Sequence, residues 1–493
     1  MFETAEVGHK IDKETFAAEL PVLRAALLDA QYELLQTGKF PVVLVIAGVD
    51  GAGKGETVNA LTEWMDPRHI EVHGFGPPSD EEAARPPMWR FWRSLPPSGK
   101  TGIFFGSWYT APILQRVLSD QTESQFDQSL EAINRFERML ADEGALVLKF
   151  WFHLSKKAQK KRFEKLEADP ATRWRVTKQE WKNFKHYNEF KEVSARALRE
   201  TNMAHAPWIV VEGEEERYRS LTVGKTLLAA LRARLDAAKL PAATPTAPAP
   251  MPAIDNRNIL DCVDLASTID KASYETQLEE LQGRLALLTR RPGFRKRSLV
   301  LAFEGWDAAG KGGAIRRVTG ALDARAYDII AVAAPSDEER RQPYLWRFWR
   351  RLPGHGRVTV FDRTWYGRVL VERVEGYCAQ SDWLRAYSEI NDFEEQLVKA
   401  GAILCKFYLH ISPEEQLRRF EERQALNFKR FKITEEDWRN RDKWPQYVQA
   451  VCDMVDRTST EIAPWTLVAA ESKYLARLQV LQTICDRLEQ ALD

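Results

Sequence analysis

The sequence predicts an α/β protein of two tandem P-loop kinase-like domains, each a parallel sheet with helices on both faces and a helical lid. Three observations predict this architecture. A glycine-rich turn after an apolar strand occurs twice, apolar strands alternate with helical segments in each half, and a Pro/Ala-rich stretch separates the halves. Alternating strands and helices favour a parallel sheet, because each crossover helix packs back onto the sheet.

The glycine-rich turn of the second half predicts a phosphate-binding loop. The apolar strand at residues 298–303 is followed by the residues expected to surround phosphate: Gly305, Ala308, Gly310, Lys311 and Gly312. Glycines let backbone N–H groups converge on phosphate oxygens, the lysine adds a point charge, and the N-terminus of the next helix favours an anion. Gly312 stands where a Ser or Thr hydroxyl usually holds magnesium, so Asp307 inside the loop is the candidate metal ligand.

The second half of the chain repeats the first. Lys54 and Lys311 are 257 positions apart, and the same offset aligns the Pro-Ser-Asp-Glu-Glu, Trp-Arg-Phe-Trp-Arg and Ala-Pro-Trp tracts of the two halves. A period this long indicates a duplicated domain rather than a solenoid. We expect domains at 1–239 and 254–493, joined by a linker at 240–253 whose prolines and alanines favour an extended spacer.

Composition limits the classes of function. The chain has 493 residues and no formal net charge, so no global field draws it to nucleic acid or to a membrane. The five cysteines show neither zinc spacing nor a CxxC pair, which predicts buried thiols in a reducing compartment. No segment is typical of a signal peptide, and none approaches the roughly 18 apolar residues of a membrane span. We therefore expect a cytoplasmic protein with no nucleic-acid or membrane partner.

A strand of the second half ends at an acidic residue of the kind found at nucleotide sites. The strand at residues 358–361 is followed by Asp362, and Arg363 and Arg368 come shortly after it. An aspartate at the carboxyl end of a strand beside a P-loop is the Walker B arrangement, which holds magnesium directly or through water. Asp307 and Asp362 are thus the predicted metal ligands, and the two arginines suit bidentate contact with an anion. The alternatives are a capping aspartate and exposed arginines in ion pairs.

A basic segment lies between the predicted strands at 402–409 and 465–468, where P-loop kinases carry a lid over the phosphates. Its cations are Lys429, Arg430 and Lys432, which we expect to neutralise a phosphate chain and to exclude water on closure. The alternative is a solvated helix face, with Thr434 as the N-cap of a helix that has an acidic first turn.

The first half has lost several of these groups. Phe105, Gly106 and Ala111 stand where the second half has its Walker B aspartate and the two arginines. Asp50 and Lys54 remain, so a phosphate cradle persists without the groups that place magnesium and neutralise charge. We expect the first domain to be inactive or nearly so, and to be kept for assembly or for anion binding.

The motifs of the second half resemble the polyphosphate kinase 2 family. The matching tracts are residues 305–312, 361–368, 407–412 with 415–416, and 458–465. They span nearly all of the second domain, and the first half matches in weaker form. A two-domain chain with a degraded first half is similar to the polyphosphate:AMP phosphotransferase type of that family.

This resemblance implies a thymidylate-kinase-like P-loop fold, dependence on Mg²⁺, and phosphoryl transfer from inorganic polyphosphate to AMP, giving ADP. It implies that Lys311 and the loop N–H groups contact the phosphates at the point of transfer, with Asp307 and Asp362 on magnesium. The other phosphate and nucleotide contacts that it implies are Arg363, Arg368, Glu372, Arg373, Lys429, Arg430 and Lys432. The lid departs from the family pattern, since Asn427 and its neighbours stand where members often carry Asp-Pro.

Two alternative functions belong to other classes. One is an enzyme of different specificity, either an ADP-phosphorylating polyphosphate kinase or an ATP-dependent nucleotide kinase, which the choice of donor would distinguish. The other is a non-catalytic scaffold that binds polyphosphate or a nucleotide. The degraded first half favours the scaffold, whereas the intact second half argues against it. The sequence leaves the oligomeric state open and is compatible with a homo-oligomer.

Overall fold

The computed structural model describes residues 2–119, 121–237, 258–425 and 433–493. The chain forms two compact units, one built mainly from the first half of the sequence and one mainly from the second. Residues 336–343 cluster with the first unit and residues 79–89 with the second. The predicted linker at 240–253 lies outside the described residues, and the predicted domain boundaries stay predictions.

Each unit contains one five-stranded parallel sheet. The strands of the first sheet are β1 (Val42–Gly48), β2 (Ile70–Gly74), β3 (Thr101–Phe105), β4 (Leu146–His153) and β5 (Trp208–Glu212). The strands of the second are β6 (Ser298–Gly305), β7 (Tyr327–Ala331), β8 (Val358–Asp362), β9 (Ala402–His410) and β10 (Trp465–Ala469). The spatial orders, β2-β3-β1-β4-β5 and β7-β8-β6-β9-β10, are the same, which confirms the predicted α/β class.

Helices connect the strands in both halves. In the first half they are α1 (Lys13–Thr37), α2 (Lys54–Trp64), α3 (Asp80–Ala83), α4 (Trp89–Arg93), α5 (Thr110–Leu118), α6 (Glu123–Asp142), α7 (Lys156–Ala168), α8 (Lys178–Lys185), α9 (Tyr187–Glu200) and α10 (Glu216–Ala237). In the second they are α11 (Lys271–Leu288), α12 (Lys311–Thr319), α13 (Asp337–Arg340), α14 (Trp346–Trp349), α15 (Val371–Glu375), α16 (Gln380–Lys399), α17 (Pro413–Ala425), α18 (Glu435–Asp442), α19 (Trp444–Thr458) and α20 (Lys473–Leu492). Short 3₁₀ helices occupy Glu3–Ala5, Pro67–His69, Arg173–Arg175, Ile259–Cys262, Pro292–Lys296 and Trp365–Arg368.

The central strand of each sheet carries the glycine-rich loop. In the second unit β6 lies between β8 and β9, and its residues before Gly305 are buried. The carboxyl ends of parallel strands meet at one edge of a sheet, and ligands of open α/β sheets bind at that edge where the strand order reverses. The register pairs Phe303 of β6 with Asp362 of β8. The fold therefore brings the predicted Walker B aspartate to the edge that holds the loop.

One strand in each half escapes sequence reasoning. β2 and β7 are edge strands, and most of their residues are exposed or only half-buried. Ile329 in β7, for example, is exposed. The strands that the sequence does predict are continuous apolar runs, because they are covered on both faces. An edge strand buries too little surface to leave such a run.

The thiols are less uniformly buried than the sequence suggested. Cys405 and Cys485 are buried, whereas Cys378 and Cys452 are half-buried and Cys262 is exposed. The expectation of buried thiols is thus wrong for Cys262, which lies in a surface 3₁₀ helix. All five cysteines are free.

Within the described ranges, no helix combines the length and the apolarity needed to cross a bilayer.

A buried ion pair anchors the segment that follows β8. Lys406 Nζ donates to Glu394 Oε2 at 2.7 Å, and both side chains are almost completely buried. Glu394 Oε1 also accepts from Trp365 Nε1 at 2.9 Å and from the Tyr366 hydroxyl at 2.6 Å. Lys406 reaches Thr458 O at 2.7 Å as well. These bonds tie β9, α16 and α19 to the segment that carries the predicted catalytic arginines.

The first unit repeats this network with its own residues. Lys149 Nζ donates to Glu137 Oε2 at 2.6 Å, to the Tyr109 hydroxyl at 2.9 Å and to Thr201 O at 2.7 Å. The network is therefore present in a domain that lacks the predicted Walker B aspartate. We interpret it as a structural element of the fold.

We expect Lys406→Met to destabilise the second unit by about 3–5 kcal/mol, because it leaves a buried carboxylate without its cation. Adding Glu394→Gln should recover much of this loss, since the neutral amide oxygen still accepts from Trp365 and Tyr366. Urea unfolding followed by circular dichroism measures both free energies. Equal destabilisation by the single and the double variant would contradict the role of the ion pair.

Candidate active site

The loop between β6 and α12 depends on two glycines. Gly305 has φ of 139°, and a Cβ there would lie 2.5 Å from the backbone oxygen of Leu409 on the neighbouring strand. Gly310 has φ of 109° and is the N-cap of α12, with open space where a Cβ would stand. Ala308 also takes a left-handed conformation, with φ of 64°. Because Ala308 has a side chain, this conformation is strained, and backbone strain is concentrated at functional sites.

Lys311 closes the loop on itself. Its Nζ donates to Gly305 O at 2.6 Å and to Trp306 O at 3.1 Å. Trp306 is buried, stacks on Trp444 of α19 with ring centroids 3.5 Å apart, and donates through Nε1 to His410 Nδ1 at 3.0 Å. The start of the loop is therefore held by a cation on one side and by packed rings on the other.

Two side chains of α17 bind the remaining loop carbonyls. Gln416 Nε2 donates to Asp307 O at 3.1 Å. The buried Arg419 donates through Nη1 to Ala308 O and Ala309 O, both at 3.0 Å. Because a trans peptide directs its N–H away from its C=O, carbonyls bound in this way turn the following N–H groups to the opposite side of the loop.

Asp307 is oriented through both carboxylate oxygens. Oδ1 accepts from Arg363 Nη2 at 3.1 Å, and Oδ2 accepts from Asn440 Nδ2 at 3.0 Å. Burial opposes ionisation of this carboxyl, but Lys311 and Arg363, with the Asn440 bond, outweigh it and hold the pKa of Asp307 below its ordinary value. Asp307 is therefore ionised at neutral pH and fixed in direction.

A buried carboxyl group positions the turn after β8. Glu304 Oε1 accepts from Thr364 N at 2.8 Å and from Thr364 Oγ1 at 2.7 Å, and burial raises the pKa of Glu304. Arg363, between this bond and the end of the strand, has φ of 63° and donates its N–H to Phe303 O at 3.1 Å. The strained backbone of Arg363 directs its guanidinium toward Asp307.

These groups surround one open cavity of about 360 Å³. Its lining residues are Trp306, Asp307, Ala308, Ala309, Gly310, Lys311, Gly312, Gly313, Arg316, Asp362, Arg363, Arg423 and Asp437. Cationic and acidic groups thus share a polar space at the N-terminus of α12. Lys311, Arg316, Arg363 and Arg423 favour an anionic ligand there, as does the helix terminus.

Several predicted residues do not line this cavity. Arg368 pairs with Glu372 at 3.0 Å and lies over the ring of Tyr344. Arg373 pairs with Asp453 at 2.7 Å and donates to the Tyr387 hydroxyl at 3.0 Å. These bonds engage both arginines outside the cavity, and their predicted phosphate contacts stay predictions.

The three lid cations, Lys429, Arg430 and Lys432, lie outside the described residues. The alternative that concerns Thr434 is supported, because α18 begins at Glu435 and Asp437 Oδ2 accepts from Thr434 N at 2.7 Å. A helix cap and a lid are compatible, since α17 and α18 flank the basic segment on both sides.

Sequence reasoning missed Asn440, Arg316 and Arg423. The fold brings Asn440 to Asp307 although the two residues are far apart in the sequence. One signal could have found it: at the 257-residue offset stands Asn183, whose Nδ2 contacts Asp50 Oδ2 at 3.4 Å. The two arginines leave no such signal, because single arginines in charged helices are common.

The two aspartates fit a magnesium ion. Among the described residues, no group of three or more His, Cys, Asp or Glu could hold a metal by itself. Mg²⁺ rarely needs one, because it commonly binds one or two carboxylates together with substrate phosphates and water. Asp362 lines the same cavity as Asp307, so its carboxylate is available for such a ligand shell.

Comparisons with known proteins cover the whole chain. The family described as polyphosphate kinase 2 matches residues 10–239 and 268–493. A polyphosphate:AMP phosphotransferase of Pseudomonas aeruginosa is 58% identical over 491 residues, covering 100% of this chain and 99% of that protein. One from Acinetobacter johnsonii is 38% identical, covering 98% of this chain and 100% of the other. A crystal structure of a polyphosphate kinase 2 from P. aeruginosa matches with a TM-score of 0.89 at 57% identity, covering 100% of this chain and 99% of that one.

We expect Gly305→Ala to weaken the binding of inorganic tripolyphosphate by about tenfold or more, because the new Cβ meets the backbone of β9 and displaces the loop. Gly312→Ala is the matched control, since a Cβ there meets open space and its backbone N–H is kept. Isothermal titration calorimetry measures both affinities, and thermal unfolding checks the fold of each variant. Similar affinities for the two variants would show that the backbone of the loop does not form the anion site.

Proposed function

Because the chain belongs to the polyphosphate kinase 2 family, we propose that it transfers the terminal phosphoryl group of inorganic polyphosphate to AMP and produces ADP. One observation carries the proposal: a single cavity is lined by the loop, Lys311, both predicted metal ligands and Arg363. Full-length relatives named polyphosphate:AMP phosphotransferase support AMP as the acceptor.

The donor side requires cations along a chain of phosphates. Behind the loop lies a second cavity of about 190 Å³, whose charged lining residues are Arg419, Glu422, Arg423, Lys473 and Arg477. Arg423 lines both cavities. Four cations against one carboxylate suit a linear polyanion. We assign the terminal phosphates to the first cavity and the following part of the chain to the second.

The transfer is a displacement at phosphorus. An oxygen of the AMP phosphate attacks the terminal phosphorus of polyphosphate, the bond to the bridging oxygen breaks, and the chain leaves one phosphate shorter. Such transition states are loose, and charge spreads over the peripheral oxygens, so positioning and electrostatic stabilisation supply most of the catalysis. Loop N–H groups and Lys311 hold the transferred group, and Arg363 neutralises charge from the side of β8.

Asp307 and Asp362 would hold the magnesium ion, and Arg316 and Arg423 would add further positive charge. Bound there, Mg²⁺ would supply charge neutralisation to the phosphate oxygens. The AMP phosphate is already anionic, so the acceptor needs little base catalysis. Asn440 and Arg363 keep Asp307 turned toward the cavity. We place Arg368, Glu372 and Arg373 on the acceptor side, and the lid cations Lys429, Arg430 and Lys432 on the donor.

Other choices of phosphate donor or nucleotide acceptor can be tested directly. Relatives that match about half of this chain include a protein of Rhizobium meliloti named ADP-polyphosphate phosphotransferase 3, 35% identical over 224 residues. Purified protein with Mg²⁺ and AMP should form ADP from polyphosphate and not from ATP. Replacing AMP by ADP or GDP tests the acceptor, and absence of any transfer would favour a binding scaffold.

Five free cysteines support a reducing, cytoplasmic location.

We expect Asp362→Asn to lower the turnover of AMP phosphorylation by about 100-fold or more, because it removes a main electrostatic element of the site. Asp328→Asn is the matched control, since this exposed aspartate of β7 pairs with Arg357 away from the cavity. Steady-state ADP formation at saturating magnesium measures both. Near-normal turnover of Asp362→Asn would rule out its assignment as a metal ligand.

We expect Lys311→Ala to abolish activity and Lys54→Ala to leave most of it. Both lysines close a glycine-rich loop in the same way, and Lys54 Nζ donates to Gly48 O at 2.5 Å. Only the second domain also has Asp362 and Arg363, so only its loop contributes to transfer. ADP formation by folded variants decides the question. Equal losses would contradict a single active domain.

A further inference from the structure

In each domain the glycine-rich loop and the first turn of the following helix form a cradle for phosphate. The two cradles differ in the space directly behind the loop. In the second domain this space is the cavity lined by Gly310, Gly313, Lys473 and Ala476. A Cβ added to Gly310 would meet nothing within 4 Å. Gly310, Gly313 and Ala476 are small, and they keep the space open beside the loop.

The same space in the first domain is filled by side chains. At the 257-residue offset, Glu56 replaces Gly313 and Arg219 replaces Ala476. Arg219 is buried, and a Cβ added to Gly53 would overlap its guanidinium.

The inserted arginine donates a hydrogen bond through each of its three guanidinium nitrogens. Its Nη2 donates to Glu56 Oε2 at 2.7 Å, its Nε to Thr57 Oγ1 at 3.0 Å, and its Nη1 to Gly213 O at 2.7 Å. Glu56 is further held by Arg162 Nη2 at 2.6 Å and Arg175 Nη1 at 3.2 Å. A carboxylate with three guanidinium partners is a stable occupant of a cationic site.

The side chains that bind the backbone carbonyls around the loop also differ between the two domains. In the second domain Arg419 of α17 binds loop carbonyls and donates to Ala470 O at 2.7 Å. Its counterpart Arg162 binds Glu56 instead, and Arg219 of α10 now donates to Gly213 O, the counterpart of the Ala470 carbonyl. The first cradle is therefore built around its own ion pair.

We infer that Glu56 and Arg219 close the first cradle from inside, so that the chain binds condensed phosphate at one of its two cradles. Removing both side chains opens a second condensed-phosphate site, because Lys54, Arg162 and Arg175 remain and the net charge does not change. The ligand class rests on the proposed function. The closure itself rests on the filled space alone.

The test is calorimetric titration of the full chain with inorganic tripolyphosphate. Wild type should bind one equivalent, E56G/R219A two, and E56G/R219A/K311A one, because the last variant retains only the opened site. AMP phosphorylation by E56G/R219A should be unchanged. Arg217→Ala is the matched control on α10, since Arg217 pairs with Glu215 and leaves the closure intact.

Two equivalents on wild type, or one equivalent on folded E56G/R219A, would overturn the inference. If the double variant does not fold, Glu56→Gly alone decides, because it removes the carboxylate from the cradle while Arg219 keeps its bonds to Thr57 Oγ1 and Gly213 O. It should then show a second, weaker site, and its absence would overturn the closure. Failure of wild type to bind tripolyphosphate at all would overturn the proposed donor and this inference together, and is distinguishable from failure of the opened variant alone.

Discussion

The site depends on how the carbonyl groups of one loop are bound. Lys311 takes the carbonyls of residues 305 and 306, and α17 takes those of residues 307–309 through Gln416 and Arg419. A glycine-rich loop could otherwise turn its carbonyl oxygens toward the phosphates and repel them. With the carbonyls bound to cations and an amide, the loop N–H groups are preorganised for an anion before it arrives. Little reorganisation is then needed at the moment of transfer.

The duplication separates what holds the fold from what performs the chemistry. The buried Lys–Glu pair and the glutamine on the loop carbonyl occur in both domains. The predicted Walker B aspartate and the arginine after it occur only in the second. The groups kept in both copies are buried and bonded to several elements, so losing one would destabilise either domain. The groups lost from the first copy stand at strand ends and bear little on its packing. Under the proposed function, fold and activity are therefore controlled by different residues of the same domain.

The same distinction explains what the sequence could predict. The central strands, the loop and Asp362 were predictable, because continuous apolar runs and short-range spacing carry their signal. The edge strands β2 and β7 bury too little surface to leave one. Asn440 and Arg419 act on the loop from positions more than 100 residues away, and only the tertiary fold brings them there. For Asn440 the repeat itself held a usable signal, since Asn183 stands at the matching position. Arg419 has a counterpart too, but Arg162 has changed its partner, so identity at the offset would have misled.

In the first domain a carboxylate of the protein itself occupies the place of a bound anion. The N-terminus of a helix carries a partial positive charge, and a first-turn carboxylate is stabilised there as a bound phosphate would be. Glu56 lies in the first turn of α2, where α12 has Gly313 and no acidic side chain in its first turn. Such a carboxylate competes with an anionic ligand for the positive end of the helix dipole and for the same arginines. It does so without the translational entropy that a free ligand loses on binding. A cradle of this kind needs no bound phosphate to be stable, so its fold does not depend on phosphoryl transfer.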